Sequence, residues 1–283
     1  MTMSTWYILF MPNIYPGGCD NLEKEIESGM LFERLSHENI EHSTSAILLG
    51  DDNTSGFEPG GALEDSKELK IYGYLNYLSD SKQGSLEKAI SDPQKLSIEI
   101  QDRALQIADK FASKDGLFVN YNKLRKSREL EDFVFLCSSL NFISLEILGS
   151  LPESQRMSIF VNIYNALIMH ATCVLGAPDD NPSSRTAFFN GSTGARYAIG
   201  GHFFSPDDIE HGILRANWPH PSQPPNSRSF FPAGDLRASL ALSCLDARIH
   251  FMLNCGASSC PPIRVLSSDN IDAALSAAAA GIV

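Results

Sequence analysis

Residues 154–176 read SQRMSIFVNIYNALIMHATCVLG. Ser154 stands where an N-cap is favoured, and Ile159, Phe160, Ile163, Leu167 and Ile168 follow at helical spacing up to the stop at Gly176. The stretch is apolar nearly all round, which a helix tolerates when it is buried on every side. A domain must be built around it. Its polar members, Asn162, Asn165 and His170, must then find partners in the interior.

Upstream, Leu96, Ile100, Ile107 and Phe111 fall on one helical stripe after Pro93, closed by Asp115-Gly116. Phe118–Tyr121 reads as a short extended segment. Residues 128–140 read as a second helix with Leu130, Phe133 and Leu136 inward. Downstream, Arg196–Phe204 reads as two short strands about Gly200-Gly201. Ser205-Pro206-Asp207-Asp208 then carries an N-cap serine, a proline at the first helical position and acids in the first turn. Arg248–Leu253 alternates like a strand, Ile263–Leu266 like a shorter one, and Ser268 opens a final alanine-rich helix. The fold class is α+β, a helical N-terminal part packed on a small mixed or antiparallel sheet with flanking helices. Residues 95–283 form the domain. Residues 1–94, with Pro16-Gly17-Gly18, the Asp51–Gly56 turn cluster and Pro59-Gly60-Gly61, form a poorly ordered or partly folded extension.

Charge separates the same two parts. Residues 1–150 carry 24 acidic and 14 basic side chains of the 34 and 22 in the chain, and no lysine follows Lys126. Arginine suits buried, bidentate pairing better than lysine does, so the second half reads as the site-bearing part. The net charge of −12 argues against nucleic-acid partners. No apolar run is expected to cross a bilayer. The six cysteines form no CxxC pair and no disulfide framework, and no basic leader precedes Trp6–Met11. A cytoplasmic protein is expected.

The densest polar cluster is His250, Asn254, Cys255, Ser259 and Cys260. A cysteine in a Gly/Ser turn is placed to act as a nucleophile or a ligand. Its base is His170 by first choice or His211 by second. His250, five residues away along an expected strand, would lie roughly 16 Å off and support the pocket. Asn254 and the amides after Cys255 would hold an oxyanion. On its helix, His211 lines up with Asp207 and Arg215 at i−4 and i+4, while Glu210 faces elsewhere. A buried Glu210 must pair with another element, Arg248 or His250 being the expected donors. His37, His42, His202 and His220 read as solvated. Asn162, Asn165, His170, Glu210, His250, Asn254 and Cys255 are expected to converge on one pocket, with Asn162, Asn165, Arg215, Arg248 and Cys260 contacting the substrate.

Three readings share these atoms. One is a cysteine-dependent hydrolase or acyltransferase acting on a small molecule or peptide, with no cofactor and no metal. Another is a non-catalytic module that binds a protein partner. The third is a zinc site from Cys255, Cys260 and two of His170, His211 and His250.

Phe160–His170 (FVNIYNALIMH), Tyr197–Gly201 with Ser205–Arg215 (SPDDIEHGILR), and Asp246–Pro262 (DARIHFMLNCGASSCPP) resemble, in order, the blocks of the domain of unknown function 547 family. Asp115-Gly116…Tyr121 resembles its lead-in, so the likeness runs over about residues 95–283. Ala247 stands where the family usually has proline. Some members carry asparagine at the position of His211. The chain ends inside the family's terminal helix, as a fragment would. The resemblance implies no reaction. Members occur behind leucine-zipper, glutaredoxin or DEP regions, which this chain does not show.

Overall fold

The computed structural model describes residues 73–78, 92–114, 119–179, 181–224, 226–256, 260 and 262–281. Its axis is the 23-residue helix expected from the opening stretch, Glu153–Leu175, with every residue from Ser158 to Cys173 buried. Pro152 rather than Ser154 precedes the first turn, and Gly176, at φ +86°, ends the helix. Glu153 uses its carboxylate to accept from the Ser243 amide and hydroxyl, at 2.8 and 3.0 Å. By length and composition this helix could cross a membrane, contrary to the expectation for the chain, yet the fold wraps it in protein.

Six helices in all are α in the described chain from Pro93 to Phe189: α1 Pro93–Lys110, α2 Tyr121–Leu124, α3 Arg128–Ser138, α4 Leu145–Ser150, α5 Glu153–Leu175 and α6 Pro182–Phe189. Asp92 caps α1 by accepting from the Lys95 amide, and Ser127 caps α3 by accepting from Leu130. The buried stripe of α1, with Leu96, Ile100 and Ile107, packs along α5. Val119 makes an isolated bridge with Ala112, while Tyr121 already belongs to α2; Asp115-Gly116 lies outside the described residues. A 3-10 turn, Ser139–Phe142, continues α3.

Strands β1 (Tyr197–Ile199) and β2 (His202–Phe204) pair antiparallel, Tyr197 opposite Phe204, across Gly200 and Gly201. Both glycines have positive φ, +57° and +79°, as a tight two-residue hairpin requires. Residues 73–78, inside the expected extension, dock on this hairpin. The Leu75 amide donates to Arg196 O, and Asn76 holds Ala198 through both its N–H and its C=O. The other residues of that extension up to 91 lie outside the described set.

The two later strands read from the sequence are absent. Ala247–Phe251 is a 3-10 helix capped by Asp246, and Ile263–Leu266 has no partner strand among the described residues. Asparagine side chains supply the missing ladder. Asn162 accepts from the Leu266 amide at 3.0 Å and donates to the Leu266 carbonyl at 2.8 Å. Asn165 accepts from the Asn254 amide at 2.9 Å and donates to Met252 O at 3.0 Å. A buried carboxamide presents one donor and one acceptor side by side, as a neighbouring peptide would. A last helix, α7, spans Ile271–Ala279 behind Asn270 rather than Ser268.

Candidate functional site

Ser205 opens the segment that carries the acids and bases. Its hydroxyl accepts from the Asp208 amide at 3.1 Å, and Asp208 accepts from the Ser205 amide at 2.8 Å, a reciprocal capping box. The helix then widens into a π-helix, Asp208–Leu214, with the Arg215 amide donating to Glu210 O. π-turns are rare and frequent at functional sites. Gly212 is obligatory here, because a Cβ would sit 2.2 Å from the buried Phe231 ring. The segment turns Glu210, His211 and Arg215 all into the interior.

Glu210 reaches two elements. One oxygen lies 3.5 Å from His250 Nδ1 on the 3-10 helix, and the other accepts from the Tyr164 hydroxyl of α5 at 3.4 Å. Burial, with Arg215 close by, pushes the His250 imidazole down to about 3. At neutral pH the ring is uncharged, so its 3.5 Å contact with Glu210 is made by a neutral imidazole and is not an ion pair. The expectation of a charged donor is corrected for Arg248 as well. Its guanidinium grips Asp246 and reaches Asp272 and Ser276 of α7, fastening the 3-10 helix to α7.

His211 lies between Asp207 and Arg215, as its spacing predicts. Its Nε2 is 3.7 Å from Asp207, and the Arg215 guanidinium donates to its Nδ1 at 2.9 Å. His220 is not solvated as expected: its ring stacks edge-on against His211 at 4.5 Å, and its Nδ1 accepts from the Ser222 amide. It sits in a proline-rich loop whose spacing carries no signal of that contact. Burial and the Arg215 charge push His211 well down and His220 down. Asp207 is pushed up to about 7 by burial and by the charges of Glu210 and Asp208. Arg215 itself is buried, has no carboxylate within 4.0 Å among the described residues, and leaves its Nε without a partner.

Asp207, His211 and His220 form the group of described residues whose donor atoms come within 4.8 Å of one another. They suit a cation poorly. Each Nδ1 accepts a hydrogen bond, which leaves the neutral ring's proton on Nε2, and a guanidinium stands against His211. No cysteine belongs to the group, so the zinc set read from the sequence is not assembled among the described residues.

The cysteine turn lies just beyond the Asn165 clamp. Asn254 accepts from the Gly256 amide at 3.0 Å, and Gly256 adopts φ +86°. The Cys255 amide donates to Cys260 Sγ at 3.3 Å, and the two sulfurs are 3.4 Å apart. Of the oxyanion donors expected after Cys255, the Gly256 amide is engaged by Asn254 within the turn, and the Ala257 amide lies outside the described residues. Ser259 lies outside the described residues.

His170 is a different case from the rest. It is five residues beyond Asn165 on α5, about 140° around the helix and so on another face. There its Nδ1 bonds the Tyr197 hydroxyl at 3.0 Å, which lies 3.5 Å from Cys137 Sγ, and its ring meets Phe133 edge-on. Burial pushes it down to about 3. Most of the residues expected to converge on one pocket engage one another in pairs. Glu210 meets His250, His211 meets Arg215, Asn254 meets Asn165 and Cys255 meets Cys260, while His170, Asn162 and Arg248 face other partners. Tyr164 and His220 are the members that the sequence reading missed.

No curated protein and no solved structure matches the chain. A family model does match, over residues 148–281, which contain α5, the π-helix and the cysteine turn but not α1 or the Asp115-Gly116 lead-in. Across that stretch the chain matches the family described as protein of unknown function, DUF547.

Proposed function

We propose that the chain is a thiol-dependent hydrolase or acyltransferase in which Cys255 is the nucleophile and His250, oriented by Glu210, is its base. The observation that carries this is the Glu210–His250 contact, made between a buried carboxylate and a neutral imidazole. With Nδ1–H turned to Glu210, the lone pair is left on Nε2, as a general base requires. His250 replaces His170 because His170 is committed to Tyr197 on another face of α5. The distance objection to His250 assumed a strand over Arg248–Leu253, and the 3-10 helix Ala247–Phe251 replaces that strand. Cys255 is partly exposed and can meet an acyl group on a small molecule or peptide. Cys255 Sγ would attack the carbonyl while His250 takes the thiol proton and returns it to the leaving group.

Alkylation of the native chain with iodoacetamide at pH 7 tests this. Cys255 should react at least tenfold faster than free cysteine, and His250→Ala should remove the advantage. A rate equal to that of free cysteine, unchanged in His250→Ala, would instead favour a non-catalytic interaction module. That second reading has its own support in Asn162 and Asn165, whose carboxamides serve the backbone.

A further inference from the structure

We propose that Cys255 and Cys260 form a redox-active dithiol that small-molecule disulfides oxidise to an internal disulfide. The two sulfurs are already in van der Waals contact at 3.4 Å, and closing to a bond length of about 2.05 Å needs a shift of roughly 1.4 Å. Gly256, the residue after Cys255, has nothing within 4 Å of where a Cβ would lie, so the turn is not wedged against the core there.

The pair is asymmetric in the way that stepwise exchange needs. Cys255 is partly exposed and can meet a disulfide from solvent, whereas Cys260 is buried at 8% exposure. The Cys255 amide points at Cys260 Sγ and solvates negative charge there. Cys137 and Cys173, by contrast, are fully buried and pushed up to about 12.

The reaction balances with a low-molecular-weight disulfide as oxidant. Cys255 thiolate attacks one sulfur of R–S–S–R, forming Cys255–S–S–R and releasing RS⁻. Cys260 thiolate then attacks Cys255 Sγ, forming the Cys255–Cys260 bond and releasing the second RS⁻. The protein loses two protons and two electrons, and one disulfide becomes two thiols. Excess thiol reverses both steps. Bond formation stands on the geometry alone. Its consequence, that oxidation withdraws the nucleophile and silences acyl chemistry, rests on the function proposed above.

Intact-mass spectrometry after exposure of the reduced full chain to glutathione disulfide decides the matter, in a Cys19→Ser, Cys244→Ser background. The parent should become lighter by two hydrogen atoms and retain no glutathione. Cys260→Ser, or Cys260→Ala if the serine variant does not fold, should retain one glutathionyl group at Cys255. Cys255→Ser should stay unmodified at Cys260 under the same exposure. Retention of glutathione by the parent to the same extent as by Cys260→Ser would overturn the proposal, as would a parent that stays fully reduced. Alkylation of Cys255 should be lost on oxidation and restored by dithiothreitol. If the disulfide forms but acyl-ester turnover is absent in the reduced chain, the acyl-transfer reading fails and the dithiol stands.

Discussion

Two sets of buried polar side chains lie in this fold, and they are built on opposite principles. Asn162, Asn165 and Asn76 each make both a donor and an acceptor bond to backbone, at 2.8–3.0 Å. Asn217 does the same for Phe231 at the far end of the π-helix. These amides are neutral and fully used. Glu210, His211, His250, Asp207 and Arg215 are ionisable, meet at 2.9–3.7 Å, and include an orphaned guanidinium nitrogen. A satisfied network holds a fold in one state. A loosely satisfied one, with perturbed protonation, marks the place where protons can move. The asparagines are scaffold, and the titratable set is the working end.

The largest effect should come from breaking the scaffold. Asn162→Ala strands the Leu266 N–H and C=O in the core and opens a cavity, for a loss of about 5 kcal/mol. Urea denaturation measures it, and a loss below about 1 kcal/mol would erase the distinction drawn between the two sets.

Acid should come next. His170 and His250 are held down to about 3, whereas an unfolded histidine takes its proton near 6.5. Their contribution is complete above about 6.5 and is lost as pH falls from there toward 3. At pH 5 each has lost roughly 2 kcal/mol, so thermal melts should drop steeply between pH 7 and pH 5. Removing one of the two, as in His250→Asn, should flatten the drop. A melting temperature independent of pH across that range would contradict neutral buried rings.

Asp207 acts in the opposite sense. Its pKa is raised to about 7, so its contribution is present at low pH and is lost as pH rises through 7. Asp207→Asn should therefore stabilise the chain at pH 8, by on the order of 2 kcal/mol, and by almost nothing at pH 4. Equal gains at both values would mean that charge is not the cause.

Glu210 sharpens the comparison with the smallest change. Because its partner His250 is uncharged, removal strands a neutral N–H rather than a cation. Glu210→Ala should then cost about 1–3 kcal/mol, and Glu210→Gln about 1 kcal/mol with the fold intact. The discriminating readout is the alkylation rate of Cys255, which Glu210→Gln should lower while the circular dichroism is unchanged.

Legibility followed the range of the interactions involved. The α5 helix, the hairpin at Gly200-Gly201, the Ser205 cap and the Asp207–His211–Arg215 row were readable because each rests on contacts within about seven residues along the chain. The segment Arg248–Leu253 was misread as a strand because alternation of apolar residues is compatible with a short 3-10 turn, and the Asp246 cap settles which forms. Ile263–Leu266 forms no strand; the backbone partner of Leu266 is the Asn162 side chain, 104 positions away. The Glu210–His250 contact was among the pairings expected, since a buried carboxylate needs a donor. The commitment of His170 to Tyr197 was not, since helical phase says which face a residue occupies and not what covers that face.

By itself the sequence determined that a long apolar helix must be enclosed, that polar side chains on it must be satisfied inside, and that a capped helix would carry Glu210, His211 and Arg215. Those follow from periodicity, capping and the cost of unpaired polar groups, all local or compositional. Tertiary structure alone decided which asparagines became backbone partners, which imidazole meets the buried carboxylate, and that Cys255 and Cys260 lie sulfur to sulfur. Such pairings join residues far apart in the chain or across a turn whose shape no local preference sets. Burial then completes what position began, by removing the water that would otherwise keep His170 and His250 near their ordinary pKa.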